Sequence, residues 1–125
     1  MEPVFKLTNA ESRLAELLWK NAPVASMEMI RMAQNEFGWK KSTTFTNLKF
    51  LIDKGLAENI NSCVTMVYTK DEFIAEQSCK YVDDTFSGSL PMFVASFASN
   101  RKLSPEQVSE LKRLIDEFEE DEVNE

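Results

Sequence analysis

The hydrophobic pattern of this chain changes its period at Gly55, and no other sequence feature limits the possible folds as strongly. Before Gly55, three segments repeat apolar residues at helical spacing; after it, residues 56–69 alternate apolar and polar side chains around the turn formers Asn61 and Ser62. The alternating part predicts a β-hairpin directly after three helices, and residues 23–25 predict one short strand before the second helix. This order is typical of a winged helix-turn-helix.

Each of the three helices has recognisable signals at its ends. The Thr-x-x-Glu pattern at Thr8 and Glu11 is that of a capping box, in which two side chains satisfy free backbone N–H groups of the first turn. A glycine after a helix accommodates the left-handed backbone that closes the last turn. The expected N-caps are Thr8, Ser26 and Ser42, and the expected ends are Asn21 with Pro23, Gly38 and Gly55.

The third helix has one face suited to packing and another suited to an anion. Thr44, Leu48, Leu51 and Ile52 recur at helical spacing and predict the buried face. The other face carries hydroxyl and ammonium groups, which can donate to phosphate oxygens and to base edges in a major groove. A half-buried helix with merely solvated lysines has the same pattern, but the hairpin that follows favours DNA binding. The candidate DNA-binding residues are Lys40, Lys41, Ser42, Thr43, Thr46 and Lys49 on this helix and Asn61 and Ser62 at the hairpin turn.

The net charge of −7 belongs to the C-terminal part of the chain. Residues 1–80 hold ten basic and ten acidic side chains, whereas residues 81–125 hold four basic and eleven acidic ones. Within residues 40–54 there are four lysines and one aspartate, so the local balance is +3 where an anion is expected to bind. The acidic total therefore does not argue against DNA binding.

Composition argues against an enzyme. The chain contains no histidine, which excludes a catalytic triad and a zinc site of the usual nitrogen type. Cys63 and Cys79 are too far apart for a metal-ligand pattern and are expected to be buried and inert. No catalytic residue, metal site or cofactor is therefore predicted. The chain has neither a run of about 18 apolar residues nor a signal-peptide pattern, so we expect no membrane span and a cytoplasmic location.

Three further helices are predicted after the hairpin. The first ends at residues 87–89, the last begins at Ser104 with a capping box that Gln107 completes, and residues 116–125 are expected to form a frayed acidic end. These short helices carry more aromatic rings than they can cover alone. Either the rings extend the core of the winged helix or, as we favour, a second copy covers them, since a two-fold partner doubles the DNA contact. The candidate dimerisation residues are Phe86, Leu90, Phe93, Val94, Phe97, Val108, Leu111, Leu114, Ile115 and Phe118.

The predicted fold is therefore mainly α with a small β-hairpin (α+β). Residues 1–71 are expected to form a winged-helix DNA-binding domain, and residues 72–125 a helical dimerisation domain with an acidic tail.

Three motifs carry a resemblance to a known family: residues 7–19, residues 42–56, and Phe93 to Phe97 followed by residues 103–106. In these motifs, and over nearly its whole length, the chain resembles the penicillinase-repressor family of transcriptional regulators. The resemblance implies a homodimeric repressor whose winged helices bind an inverted-repeat operator, as in family members that control β-lactamase or penicillinase-type genes. It implies double-stranded DNA and a second copy of the chain as partners, whereas the expectation of no membrane contact comes from the lack of a long apolar run.

The resemblance also implies a sensor-activated protease as a partner. In members that control β-lactamase, cleavage occurs just before the phenylalanine that matches Phe97, so Ser96 and Phe97 form the candidate cleavage site, although members usually have Asn at the first position. Many members have a basic residue where this chain has Phe50, and its wing tip, residues 61–63, lacks Lys and Arg. These differences keep an alternative open, a winged-helix protein-interaction module without specific DNA binding. The tail has no Cys-x-Cys motif, so copper sensing is not expected.

Overall fold

The computed structural model of the protein describes residues 6–123. It confirms a mainly helical chain with a small antiparallel sheet. The chain divides into two compact units, the first ending at Lys80 and the second beginning at Tyr81; the predicted functional domains, 1–71 and 72–125, stay a prediction. The elements are α1 (Asn9–Asn21), β1 (Val24–Ala25), α2 (Ser26–Phe37), α3 (Lys41–Asp53), β2 (Ala57–Ile60), β3 (Cys63–Met66), α4 (Lys70–Phe86), α5 (Leu90–Asn100) and α6 (Pro105–Val123).

The core of the first unit lies where α1, α2 and α3 meet the sheet. Apolar side chains at helical spacing supply one stripe from each helix, and burying each large side chain contributes about 1.5–3 kcal/mol. This core fixes the orientation of α3. Its buried apolar residues are Leu14, Ala15, Leu17, Leu18, Val24, Met29, Ile30, Ala33, Leu48, Leu51, Leu56, Ala57, Val64 and Phe73.

Two of the expected capping motifs are present. Thr8 Oγ1 accepts a hydrogen bond from Glu11 N at 3.2 Å, although the Glu11 carboxylate binds Lys54. At the start of α6, Ser104 Oγ accepts from Gln107 N at 3.1 Å while Gln107 Oε1 accepts from Ser104 N at 3.3 Å. The second pair is the reciprocal capping box that the sequence predicts.

Two expected N-caps are wrong, because the helices begin earlier. Ala25 is the N-cap of α2, and Ser26 is the first residue of the helix and is buried. The Ser26 N–H donates to Ser62 O of the hairpin turn at 2.9 Å. Ser42 is the second residue of α3, whose cap is Lys40. Thr44 closes that first turn because its N–H and its hydroxyl both donate to Lys40 O, at 3.1 and 3.2 Å.

The sheet has the strand order β1-β3-β2, with both pairs antiparallel. Asn61 and Ser62 connect β2 to β3 with φ values of 52° and 62°. Two consecutive left-handed residues form the turn whose twist matches that of a hairpin, which explains why the turn formers predicted from the sequence are found there. The hairpin of a winged helix is therefore confirmed.

The second unit consists of the end of α4 with α5 and α6. Three aromatic rings pack edge to face, with centroids 6.1 Å apart for Tyr81 and Phe86, 6.0 Å for Tyr81 and Phe93, and 5.6 Å for Phe86 and Phe93. Residues 116–123 of the expected frayed acidic end are helical, since α6 continues to Val123. Arg113 pairs with Glu110 at 3.2 Å and with Glu117 at 2.9 Å, so charges one turn apart support this helix.

Within residues 6–123, none of the helices combines the length and apolar character needed to cross a membrane.

Candidate nucleic-acid interface

The packed face of α3 differs from the predicted one at two positions, because Asn47 is buried and Ile52 is exposed. Thr44, Leu48 and Leu51 are buried as expected, and Asn47 completes the face at i, i+3, i+4 and i+7. Ile52 is 37% exposed, because its position lies beyond the edge of that face. Asn47 tolerates burial because its Nδ2 donates to Thr43 O at 3.0 Å.

The C-terminal end of α3 is held by two features. Gly55, at φ 83°, follows the last turn; its N–H donates to Ile52 O at 3.0 Å and Leu56 N donates to Leu51 O at 2.9 Å, the two bonds of a Schellman motif. This confirms the expected left-handed glycine. Beside it, Lys54 Nζ lies 2.6 Å from both carboxylate oxygens of Glu11.

The ion pair of Glu11 and Lys54 joins the end of α3 to the start of α1. The Glu11 side chain is 3% exposed and the Lys54 side chain 24%, and Lys54 Nζ also donates to Lys6 O at 2.9 Å. Sequence reasoning missed this pair, since it assigned Glu11 to a capping box and counted Lys54 only as a positive charge. The only signals for this pair in the sequence were a carboxylate in the first turn of one helix and a lysine just before the glycine that ends another.

The outward face of α3 carries two rows of exposed side chains. Ser42, Thr46 and Lys49 follow the spacing i, i+4 and i+7, and Asp53 ends the same row at i+11. The second row, next to the first, contains Thr43, Thr46 and Phe50 at i, i+3 and i+7. All six residues predicted to bind DNA at this helix are exposed: Lys40, Lys41, Ser42, Thr43, Thr46 and Lys49.

Hydrogen bonding defines what this face can offer to a ligand. Thr46 Oγ1 donates to Ser42 O at 2.8 Å, so its hydroxyl remains an acceptor and its methyl group is free for apolar contact. The ammonium group of Lys41 lies 5.9 Å from the ring centroid of Phe45, which places the cation over an aromatic face. The face therefore combines cations, hydroxyl groups and apolar atoms.

The hairpin turn contributes neutral groups only. Asn61 and Ser62 are exposed, as is Ile60 before them. Cys63 and Cys79 are both exposed and free, so the expectation that they are buried is wrong. Val64 takes the inward position of β3, and alternation along a strand leaves its neighbour Cys63 facing outward.

Arg31 on α2 has its charge matched locally. Its guanidinium donates hydrogen bonds to the carboxylate of Glu28 one turn earlier, on an exposed face. These bonds lower the pKa of the Glu28 carboxyl and raise the pKa of the Arg31 guanidinium. Arg31 therefore adds little net positive charge to α2.

The second unit presents apolar side chains outward. Phe93, Val94, Phe97, Leu103 and Leu111 line much of a groove of about 430 Å³ between α5 and α6. Of the residues predicted to dimerise, Phe86, Phe93, Val94, Val108 and Leu111 are half-buried within the unit, whereas Leu90, Phe97, Leu114, Ile115 and Phe118 are exposed. Ser96 and Phe97, the candidate cleavage site, are exposed on α5.

Residues 6–123 contain no group of three or more His, Cys, Asp or Glu side chains placed to hold a metal ion.

Comparison with known proteins identifies the family. The family model described as penicillinase repressor matches residues 7–117. The chain is also 26% identical over 121 residues to the penicillinase repressor of Bacillus licheniformis, a match that covers 94% of each chain. Such proteins are DNA-binding regulators of transcription and are generally not enzymes. The resemblance of the three sequence motifs is thereby confirmed, and the chain belongs to the penicillinase repressor family.

Proposed function

We propose that this protein represses transcription as a homodimer whose two winged helices occupy an inverted-repeat operator. The observation that carries the proposal is the outward face of α3, where Lys40, Lys41 and Lys49 are exposed beside a series of hydroxyl groups. Lysines neutralise phosphates, and hydroxyl and methyl groups read base edges. Because Thr44 and Leu48 hold the opposite face in the core, the outward face is presented in a fixed orientation.

Dimerisation is proposed for residues 72–125. Support comes from the exposed apolar side chains of α5 and α6, since large apolar groups in contiguous patches mark protein interfaces. Two half-sites related by symmetry double the number of base pairs read and explain why the operator would be an inverted repeat. Bound to a promoter, such a dimer blocks the polymerase by occupancy.

Replacing Lys49 or Lys41 by Ala is expected to weaken binding to duplex DNA and to reduce its salt dependence. Each lysine that neutralises one phosphate contributes about 0.9 to the slope of log K against log salt concentration per half-site. Fluorescence anisotropy with a labelled duplex at several KCl concentrations measures that slope. Lys112→Ala, an exposed lysine of α6, is the control and should leave the slope unchanged. Unchanged slopes in both α3 variants would show that this helix does not face the duplex.

Asp53→Asn is expected to strengthen DNA binding. The Asp53 carboxylate ends the row that contains Lys49, so it would repel the phosphates that the row approaches. Removing one charge at about 8 Å from a phosphate is worth about 0.5 kcal/mol in water, so an affinity gain of about twofold per half-site is expected at low salt. The same titration tests it, with Glu106→Gln on α6 as the control. A loss of affinity would mean that the carboxylate accepts a hydrogen bond from the DNA.

We further propose that cleavage between Ser96 and Phe97 relieves repression. Both residues are exposed, but the bond lies inside α5, where Arg101 N donates to Phe97 O at 2.9 Å. A protease would therefore need this helix to open, and the cut would remove α6 from the chain. Mass spectrometry of the repressor from induced cells would locate the cut, and an intact chain after induction would argue for release without cleavage.

A second candidate function is a module that binds another protein instead of DNA. The exposed Phe50 and the neutral hairpin turn favour it. Titration with a non-operator duplex at low and moderate salt separates the two functions, because a protein-only module should show no salt-dependent retention.

A further inference from the structure

We infer that Phe50 is a specificity-determining residue that contacts the C5-methyl group of a thymine in the major groove. The inference rests on the proposed function, because it requires the outward face of α3 to lie against DNA. It adds to that function the type of base that is recognised and the residue of α3 that recognises it.

The placement of Phe50 has no explanation in the core of the first unit. Its side chain is 46% exposed, whereas Leu48, two residues before it, and Leu51, directly after it, are buried. Its backbone is already used by the helix, since Lys54 N donates to Phe50 O at 3.0 Å. The ring is therefore an apolar group on the face that carries Lys49.

The neighbours of Phe50 on α3 also offer apolar groups to the DNA. Thr43 and Thr46 share its row, and the Thr46 hydroxyl already donates to the backbone, which leaves a methyl group for an outside partner. From Thr43 to Phe50 the row spans about 10 Å at 1.5 Å per residue, close to three base-pair steps. The row thus presents two methyl groups and a ring along a strip about three base pairs long.

The chemistry of the major groove identifies the partner of such a strip. Each base pair presents donors and acceptors there, and the thymine methyl is the apolar feature. A phenyl ring over the cytosine amino group or the guanine O6 would remove these groups from water without a hydrogen bond, which is unfavourable. The strip therefore selects thymine over cytosine and guanine, without adding to the salt dependence.

The test removes one methyl group at a time from the DNA. A tight-binding duplex is first selected from a random-sequence pool with the full-length protein, and each thymine in it is then replaced singly by deoxyuridine. At one position we expect a loss of affinity of about fourfold, which corresponds to about 0.8 kcal/mol for one buried methyl-sized group. In Phe50→Ala, the same replacement should change affinity little. Ile52→Ala, an exposed apolar residue of α3 outside the row, should retain the fourfold difference.

The outcomes separate this inference from the proposed function. If binding is salt-dependent and sequence-selective but no thymine responds, or if Phe50→Ala responds as the unchanged protein does, the inference is wrong and the repressor function stands. If duplex binding has no salt dependence, both fail, and Phe50 belongs to a protein-binding surface instead. Far-ultraviolet circular dichroism of both variants verifies that α3 is intact.

Discussion

Replacing Ile115 or Phe118 by Asp is expected to convert the proposed dimer into a monomer. In the single chain these side chains are 57% and 66% exposed, so a carboxylate at either position costs the fold of the second unit little. In a dimer that covers them, the same carboxylate would be buried without a partner, and two-fold symmetry would place it in the interface twice. A loss of several kcal/mol in association is expected, which sedimentation equilibrium at micromolar concentrations would measure.

Ser109→Asp provides the matched control for this prediction. It adds the same charge to α6, but Ser109 lies off the stripe that contains Val108, Leu111 and Ile115, so the dimer should persist. Phe93 is a poorer target, because its ring packs against Tyr81 and Phe86 and an Asp there would disturb the unit itself. If Ile115→Asp and Phe118→Asp both sediment as dimers, the interface lies on another surface.

The monomeric variants should also separate dimerisation from DNA contact. Linking two DNA-binding modules raises the affinity for a double site by about 10²–10⁴ over one module alone. A monomer should therefore lose operator affinity by at least about two orders of magnitude and keep the affinity of a single half-site. Equal affinity for full and half operators in the unchanged protein would contradict the dimeric mode of binding.

The parts of this fold that the sequence predicts are those encoded by neighbouring residues. The capping box of Ser104 and Gln107 needs residues three apart, and the hairpin turn needs two adjacent residues that tolerate left-handed backbone, Asn61 and Ser62. Such local motifs form wherever flanking segments permit them, so reading them in order yields helix, helix, helix and hairpin. The exposed face of α3 follows from the same periodicity.

Two of the wrong predictions concern positions that distant residues decide. Ser26 could cap α2 by its residue type, but the hydrogen bond from its N–H to Ser62 O, 36 positions away along the chain, fixes it inside the first turn. Cys63 is apolar enough for a core, yet it is exposed because the other side of β3, which carries Val64, packs into the core. These outcomes depend on tertiary contacts that no short window of sequence contains.

The ion pair of Glu11 and Lys54 should show how strongly a distant contact holds α3. Lys54→Met would leave the Glu11 carboxylate, 3% exposed, without its cation, and the expected loss in the free energy of unfolding is about 3–5 kcal/mol. Glu11→Gln should cost less, about 1–2 kcal/mol, because the Lys54 ammonium, 24% exposed, can turn toward water. Urea denaturation followed by circular dichroism measures both losses.

A double variant and a matched lysine separate the buried charge from the packing of the side chains. Replacing both partners, Glu11→Leu with Lys54→Met, should recover most of the stability, because no unpaired charge remains in the core. Lys70→Met breaks an exposed pair with Glu16 at 2.9 Å and should cost less than about 1 kcal/mol. Equal losses in the free energy of unfolding for Lys54→Met and Lys70→Met would show that the burial of Glu11 does not make its ion pair more important for stability. If the double variant is stable but binds the operator weakly, the ion pair adds to the core packing in setting the angle at which α3 meets DNA.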